Sequence, residues 1–248
     1  MWVCFGVFVV VFFLRLFSRQ EEINGVDFDW EELWETTNIR NYIKLLQEAA
    51  PVLQSANILT SVSLHPEQTL LANRIHRFVD RVHVMAYDHI SQRGTHHASL
   101  GYLKTSVQGF LDAGCPPVKL VVGIPAYARN GEDARNIRTF ADLLDSMDPS
   151  IMLDHLSMMD SWAGHGIWKG YFFDSPTSVR AKLEYVVQQG LAGIFFWELG
   201  LDKHHPVIAP GGILLEAIGK TLQELVKERN SPKNHAEANL PPRAENEL

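Results

Sequence analysis

The sequence predicts an α/β protein of the (β/α) barrel class, on three observations. Segments with strand character alternate with segments of helical spacing. The strands are apolar along most of their length, as in a parallel sheet covered by helices. Four of the five strands end in polar or aromatic groups, at Asp29/Glu31, Tyr87/Asp88, Tyr127/Arg129 and Trp197/Glu198. Functional side chains collected at the C-terminal ends of several strands are how such a barrel builds an active site. No Gly-rich phosphate loop follows any strand, so a dinucleotide-binding fold lacks its defining feature.

The elements follow in order. Trp2–Leu14 is an unbroken apolar run, with its first positive charges, Arg15 and Arg19, after it. A secretory leader carries them before the run and ends in small residues, and a bilayer span needs about 20 apolar residues. Residues 1–22 are therefore expected to form a helix on the following strand or to reflect a misplaced start. Residues 23–229 are expected to be one catalytic domain, and the proline-containing polar stretch 230–248 a disordered tail. Within the domain, Ile23–Glu31 reads as a strand, Glu32–Ala50 as a helix, and Asn57–Leu64 as a second strand rich in β-branched residues. Gln68–Phe78 is a helix and Asp80–Asp88 a third strand. Leu103–Ala113 is a helix ended by Gly114 and the Pro116-Pro117 breaker. Val118–Tyr127 is a fourth strand and Thr139–Met147 a helix. Ser178–Gln189 is a helix ended by Gly190, Ile194–Leu199 a fifth strand, and Gly212–Arg229 a last helix.

Asn24–Glu31 carries the chemistry. In a strand, alternate side chains share a face, so Asp27, Asp29 and Glu31 stack roughly 6.5 Å apart, and Val26, Phe28 and Trp30 take the other side. Ionised together, three such carboxyls repel one another and raise at least one pKa, which leaves a protonated acid beside an ionised partner. That is the equipment of a general acid. The alternative is a solvated acidic face on a half-buried strand. Phe28 and Trp30 predict instead a strand buried on both sides, with its carboxyls in a barrel or cleft.

Composition narrows the function. The 248 residues are 46% apolar with a formal net charge of -7, which suits one globular domain and not a nucleic-acid or anionic-membrane partner. The two cysteines, Cys4 and Cys115, form no disulfide framework, and Cys115 reads as a small core residue. His96-His97 and His204-His205 have no carboxylate at ligand spacing, so no metal is expected.

At these motifs the chain resembles the family 18 glycoside hydrolases, the chitinase family, from about Ile23 to Ile218. Asn24–Glu31 is similar to the family's D-G-x-D-x-D-x-E signature on barrel strand four, Met85–Asp88 to its M-x-Y-D motif, and Gly123–Arg129 to its G-x-P-x-Y-G-R motif. Phe173–Ser178 with Lys182, then Gly193–Gly200, is similar to the approach to strand eight and its tryptophan. The resemblance implies a (β/α)8 barrel and hydrolysis of β-1,4 bonds in chitin or related N-acetylglucosamine polymers, by substrate-assisted retaining catalysis and without a cofactor. Glu31 is then the general acid, Asp29 orients the substrate's acetamido group, Asp27 shares the proton of Asp29, and Tyr87 fixes the acetamido oxygen. Asp88 and Arg129 bind sugar hydroxyls or neighbouring carboxyls, Tyr127 contacts sugar or makes a structural hydrogen bond, Met85 packs under the site, and Trp197 forms its floor. An extracellular location is also implied.

The chain departs from the family in three ways. Asn24 replaces an aspartate and Ala128 a glycine, both with modest expected effect. Strands one to three need roughly 100 residues, and only 22 precede Ile23, so the barrel is expected to be incomplete, strands four to eight, to fold poorly and to hydrolyse weakly. The segment from Arg129 to Gly170 is read as too short for a full inserted α+β subdomain, which predicts a shallow cleft. The alternatives are a lectin-like chitin or oligosaccharide binder, which usually lacks the acid that Glu31 supplies here, and an endo-N-acetylglucosaminidase acting on glycans.

Overall fold

A computed structural model describes residues 24–31, 35–89, 96–147, 166–204 and 209–229. The expectations for the apolar run, Ile23, Glu32–Trp34, His205 and the polar tail lie outside these residues. Five parallel strands stand side by side in chain order: β1 (Gly25–Asp29), β2 (Leu59–Leu64), β3 (Arg81–Val84), β4 (Leu120–Pro125) and β9 (Gly193–Trp197). Helices connect them: α1 (Thr36–Ser55), α2 (Thr69–Ile75), α3 (Leu100–Asp112) and α5 (Pro176–Gln188), with α6 (Ile213–Arg229) closing the described chain. Neighbouring parallel strands in sequence order, each crossing over through a helix, make the wall of a (β/α) barrel.

Period-two alternation decides which face is packed. Val62 and Leu64 of β2, Val82 and Val84 of β3, and Leu120 and Val122 of β4 join Leu46, Leu71, Ile75, Leu103 and Phe110 of the helices in one buried core. The helix α1 presents Tyr42, Ile43, Leu46, Ala49, Ala50 and Leu53 to that side, a three-and-four spacing that makes one stripe. It continues through Pro51 to Ser55, beyond the predicted end at Ala50. The other face of the sheet carries the intervening residues. Register aligns them: Asp27 opposite Ser61, Asp29 opposite Ser63, Ser63 opposite His83, and Gly123 opposite Phe195.

Three expectations change. The fourth strand is two: β4 ends at Pro125, and β5 (Tyr127–Asn130) turns into a second sheet. That sheet is antiparallel, in the order β6-β5-β8-β7, with β6 (Ile137–Thr139), β7 (Gly166–Trp168) and β8 (Tyr171–Phe173). Together with α4 (Phe140–Asp145) it forms a small α+β insert, whose short strands the sequence pattern does not predict. Three- and four-residue strands are too short to show alternation, yet Phe140, Leu143, Tyr171 and Phe173 bury a core with Ile213 and Leu214 of α6. Finally, β1 is not buried on both sides. It borders the described sheet, Phe28 and Trp30 are half-buried against α1, and the carboxyl face is open.

Candidate active site

The sheet's polar face leads into a cleft of about 320 Å³. From β1 and the residues beyond it come Asp27, Asp29 and Glu31; from β2 and its end, Ser63 and His65; from β3 and its end, His83, Met85, Tyr87 and Asp88. Tyr127, Phe195 and Trp197 complete the lining. Eight of the nine residues selected from sequence therefore meet around one space. Arg129 is the exception and stands behind Asp88, its Nε donating to Asp88 Oδ1 at 2.5 Å and a terminal nitrogen to the Ala134 carbonyl at 2.6 Å.

The acidic column is electrostatically uneven. Asp27 accepts from Ser61 Oγ (2.5 Å) and Ser63 Oγ (2.8 Å), and His83 Nδ1 lies 3.2 Å from its Oδ1. Burial pushes this carboxyl up, but the hydrogen bonds from His83, Ser61 and Ser63 outweigh burial and hold it below the ordinary carboxylate value. Asp29 goes the other way: burial, then the charges of Glu31 and Asp27, raise it. Glu31 projects farthest out, its side chain 64% exposed, with His65 Nε2 4.0 Å from Oε2.

Asp88 is an anchor as well as a lining residue. Its backbone is left-handed (φ 62°), a conformation aspartate tolerates better than most residues. Tyr127 Oη donates to its Oδ1 at 2.6 Å, and His97 Nδ1 lies 3.4 Å from the same oxygen. Burial opposes ionisation, but His97, Arg129 and Tyr127 together hold Asp88 far below the usual carboxylate range. Burial foremost, and then the neighbouring carboxylates, push the Tyr87 hydroxyl well above its ordinary range, so it stays a donor. Tyr87 sits edge-on to Tyr127 and Phe195 at 6.3 and 6.1 Å. Trp197, 49% exposed, offers an indole face at the end of β9.

Sequence reasoning missed Ser61, Ser63, His65, His83, His97 and Phe195. Four of these carried a signal: Ser61, Ser63 and His65 alternate along β2, and His83 stands two residues before Met85 on β3, so both strands repeat the period that exposed the carboxyl column. Away from the cleft, Cys115 is buried and free, its thiol pushed up to about 11 by burial, which suits a core residue. Among the described residues no group of three or more His, Cys, Asp and Glu side chains is placed to hold a metal ion, and no helix is long and apolar enough to cross a membrane.

Comparison with known proteins gives one answer. The chain is 24% identical to an endochitinase of Metarhizium robertsii over 224 residues, 74% of this chain and 53% of the relative. It is 25% identical to a class V chitinase of Lotus japonicus over 233 residues, 75% and 58% respectively. It thus spans about half the length of these relatives. Among solved structures it superposes on a class V chitinase mutant from Cycas revoluta in complex with (GlcNAc)3, with TM-score 0.64 and 21% identity over 83% of this chain and 69% of that one. A group IV chitinase of Ostrinia furnacalis gives TM-score 0.65 and 20% identity over 86% and 72%. The family model for glycosyl hydrolases family 18 matches residues 9–202, so the five-stranded wall is part of a (β/α) barrel and the chain belongs to that family.

Proposed function

We propose that this cleft hydrolyses β-1,4 bonds of chitin or related N-acetylglucosamine polymers by substrate-assisted retaining catalysis. The observation that carries the reading is the convergence of Asp27, Asp29, Glu31, Tyr87 and Trp197 on one open cleft. Glu31 protonates the oxygen of the scissile bond. The carbonyl oxygen of the substrate's own 2-acetamido group attacks the anomeric carbon as the bond to the leaving sugar breaks, giving an oxazolinium-like intermediate without an enzyme nucleophile. Asp29 orients the acetamido N–H and stabilises the charge that develops there, and Asp27 supports Asp29 from behind. The Tyr87 hydroxyl donates to the acetamido oxygen, a positioning contribution. Glu31 then takes a proton from the water that reopens the ring.

Around that centre, Trp197 stacks under a sugar ring. Met85, 7% exposed, packs beneath the cleft. Asp88 offers an acceptor to a sugar hydroxyl, held in place by Tyr127 and Arg129. We place the activity outside the cell on the family resemblance. The test is release of reducing ends from N-acetylglucosamine oligomers by the chain and by Glu31→Gln. Loss of the general acid lowers turnover by about a hundredfold or more while oligomer binding persists. Binding without turnover by the unaltered chain would support the lectin-like reading instead, and cleavage confined to N-linked glycans the endo-N-acetylglucosaminidase one.

A further inference from the structure

His83 stands in the cleft between the carboxyl column and the aromatic wall, and no step above uses it. Its ring stacks on Phe195, with centroids 5.2 Å apart and planes 30° apart. Its Nδ1 lies 3.2 Å from Asp27 Oδ1, although β1 and β3 are not neighbours: β2 runs between them. Two strand spacings are about 9.6 Å, so the imidazole must lean across β2. It can do so because β2 presents only serines there, Ser61 opposite Asp27 and Ser63 opposite Asp29. Both hydroxyls donate to the carboxylate that His83 reaches. Asp27 thus faces three donors on two oxygens. The Asp29 carboxylate, by contrast, is governed by burial and by the charges of Glu31 and Asp27.

We propose that His83 is a positioning residue: donating from Nδ1 across β2, it holds the Asp27 carboxylate on Ser61 and Ser63 and leaves Asp29 to carry the mobile proton of the couple. The opposite electrostatic displacements of Asp27 and Asp29 run the same way. A strand of small hydroxyls spanned by one imidazole makes Asp27 a fixed acceptor, where a free carboxyl pair would trade its proton. Charged and titratable groups facing the imidazole are Asp27, Asp29 and Glu31, His65 at the end of β2, and Tyr87 and Asp88 beyond β3; Arg81, two residues before it, is exposed and donates to the Asp80 carbonyl, and Val121 of β4 and Phe195 of β9 are apolar. The kinetic consequence rests on the hydrolase reading, whereas the placement of the proton does not.

The experiment is a carboxyl ¹³C NMR titration of the full chain, His83→Phe and His83→Asn, with pH profiles of oligomer hydrolysis alongside. Phenylalanine keeps the stack on Phe195 and removes the donor; asparagine keeps an N–H at the place of Nδ1 without the imidazole. In the unaltered chain Asp27 titrates below Asp29. His83→Phe brings the two midpoints together, shifts the acid limb of the rate profile, and lowers kcat about tenfold with KM nearly unchanged, and His83→Asn restores the separation of the midpoints. An unchanged separation of the midpoints in His83→Phe overturns the proposal, and so does asparagine behaving as phenylalanine at an unaltered melting temperature. Absence of turnover in the unaltered chain would count against the hydrolase reading alone, because the response of the midpoint separation to His83→Phe still decides the role of His83.

Discussion

Gly123 of β4 lies under the two rings that shape the cleft, and replacing it with alanine separates packing from positioning. A Cβ at this position would stand 2.4 Å from Tyr87 Cε1, 2.7 Å from Phe195 Cζ and 3.0 Å from Tyr87 Cδ1. Carbon atoms pack at about 3.5–4.0 Å, so both rings must retreat by roughly 1 Å. Tyr87 is flanked by Tyr127 and Phe195, which leaves the cleft as its way out. Overpacking of this kind costs about 1–3 kcal/mol, which lowers the melting temperature by roughly 2–4 °C per kcal/mol in a chain of this size. The catalytic loss is larger in proportion, since displacing a positioned group by about 1 Å costs on the order of a hundredfold in rate. Melting by circular dichroism and initial rates on oligomers measure both effects. Combining Gly123→Ala with Tyr87→Phe identifies the route: if the methyl acts through the tyrosine hydroxyl, the double variant loses no more activity than Tyr87→Phe alone. Full activity in Gly123→Ala, or losses that simply add, would refute the reasoning.

Two further expectations concern charges that the fold holds in place. Lys182 of α5 and Asp174 form a fully buried ion pair at 2.5 Å, and Ser178 Oγ donates to the other carboxylate oxygen at 2.8 Å. Lys182→Met leaves that carboxylate unpaired in the core and destabilises by about 3–5 kcal/mol; the urea midpoint drops, and adding Asp174→Asn recovers part of it. Asp29 has its folded pKa raised, so its contribution to stability is fully present below the ordinary value of 3.8 and is lost as pH rises through the folded value. Asp29→Asn is therefore expected to melt higher than the unaltered chain at pH 7, to match it near pH 3, and to lose turnover. Equal melting temperatures at pH 7 would mean that the ionised column costs the fold nothing.

Much of the molecule is written locally. Runs such as Leu120–Val122 with helices between them specify a parallel sheet, because only a strand covered on both faces can be apolar along its length. The alternation Asp27–Phe28–Asp29–Trp30–Glu31 puts three carboxyls on one face by the geometry of an extended chain alone, and no tertiary contact is needed to see it. The antiparallel insert was hidden because its strands, such as Gly166–Trp168, are shorter than the pattern that would reveal them. The period of β2 and β3 puts Ser61 and Ser63, and His83, on one face of their strands, but only strand order and register set them beside Asp27. Sequence by itself determined which side chains share a face of each strand, since that depends only on backbone periodicity. Tertiary structure decided which of those faces meet, that β1 borders the described sheet with its carboxyls open, and that Asp27 and Asp29, two residues apart, are driven in opposite directions. Those outcomes depend on desolvation and on donors brought from other strands.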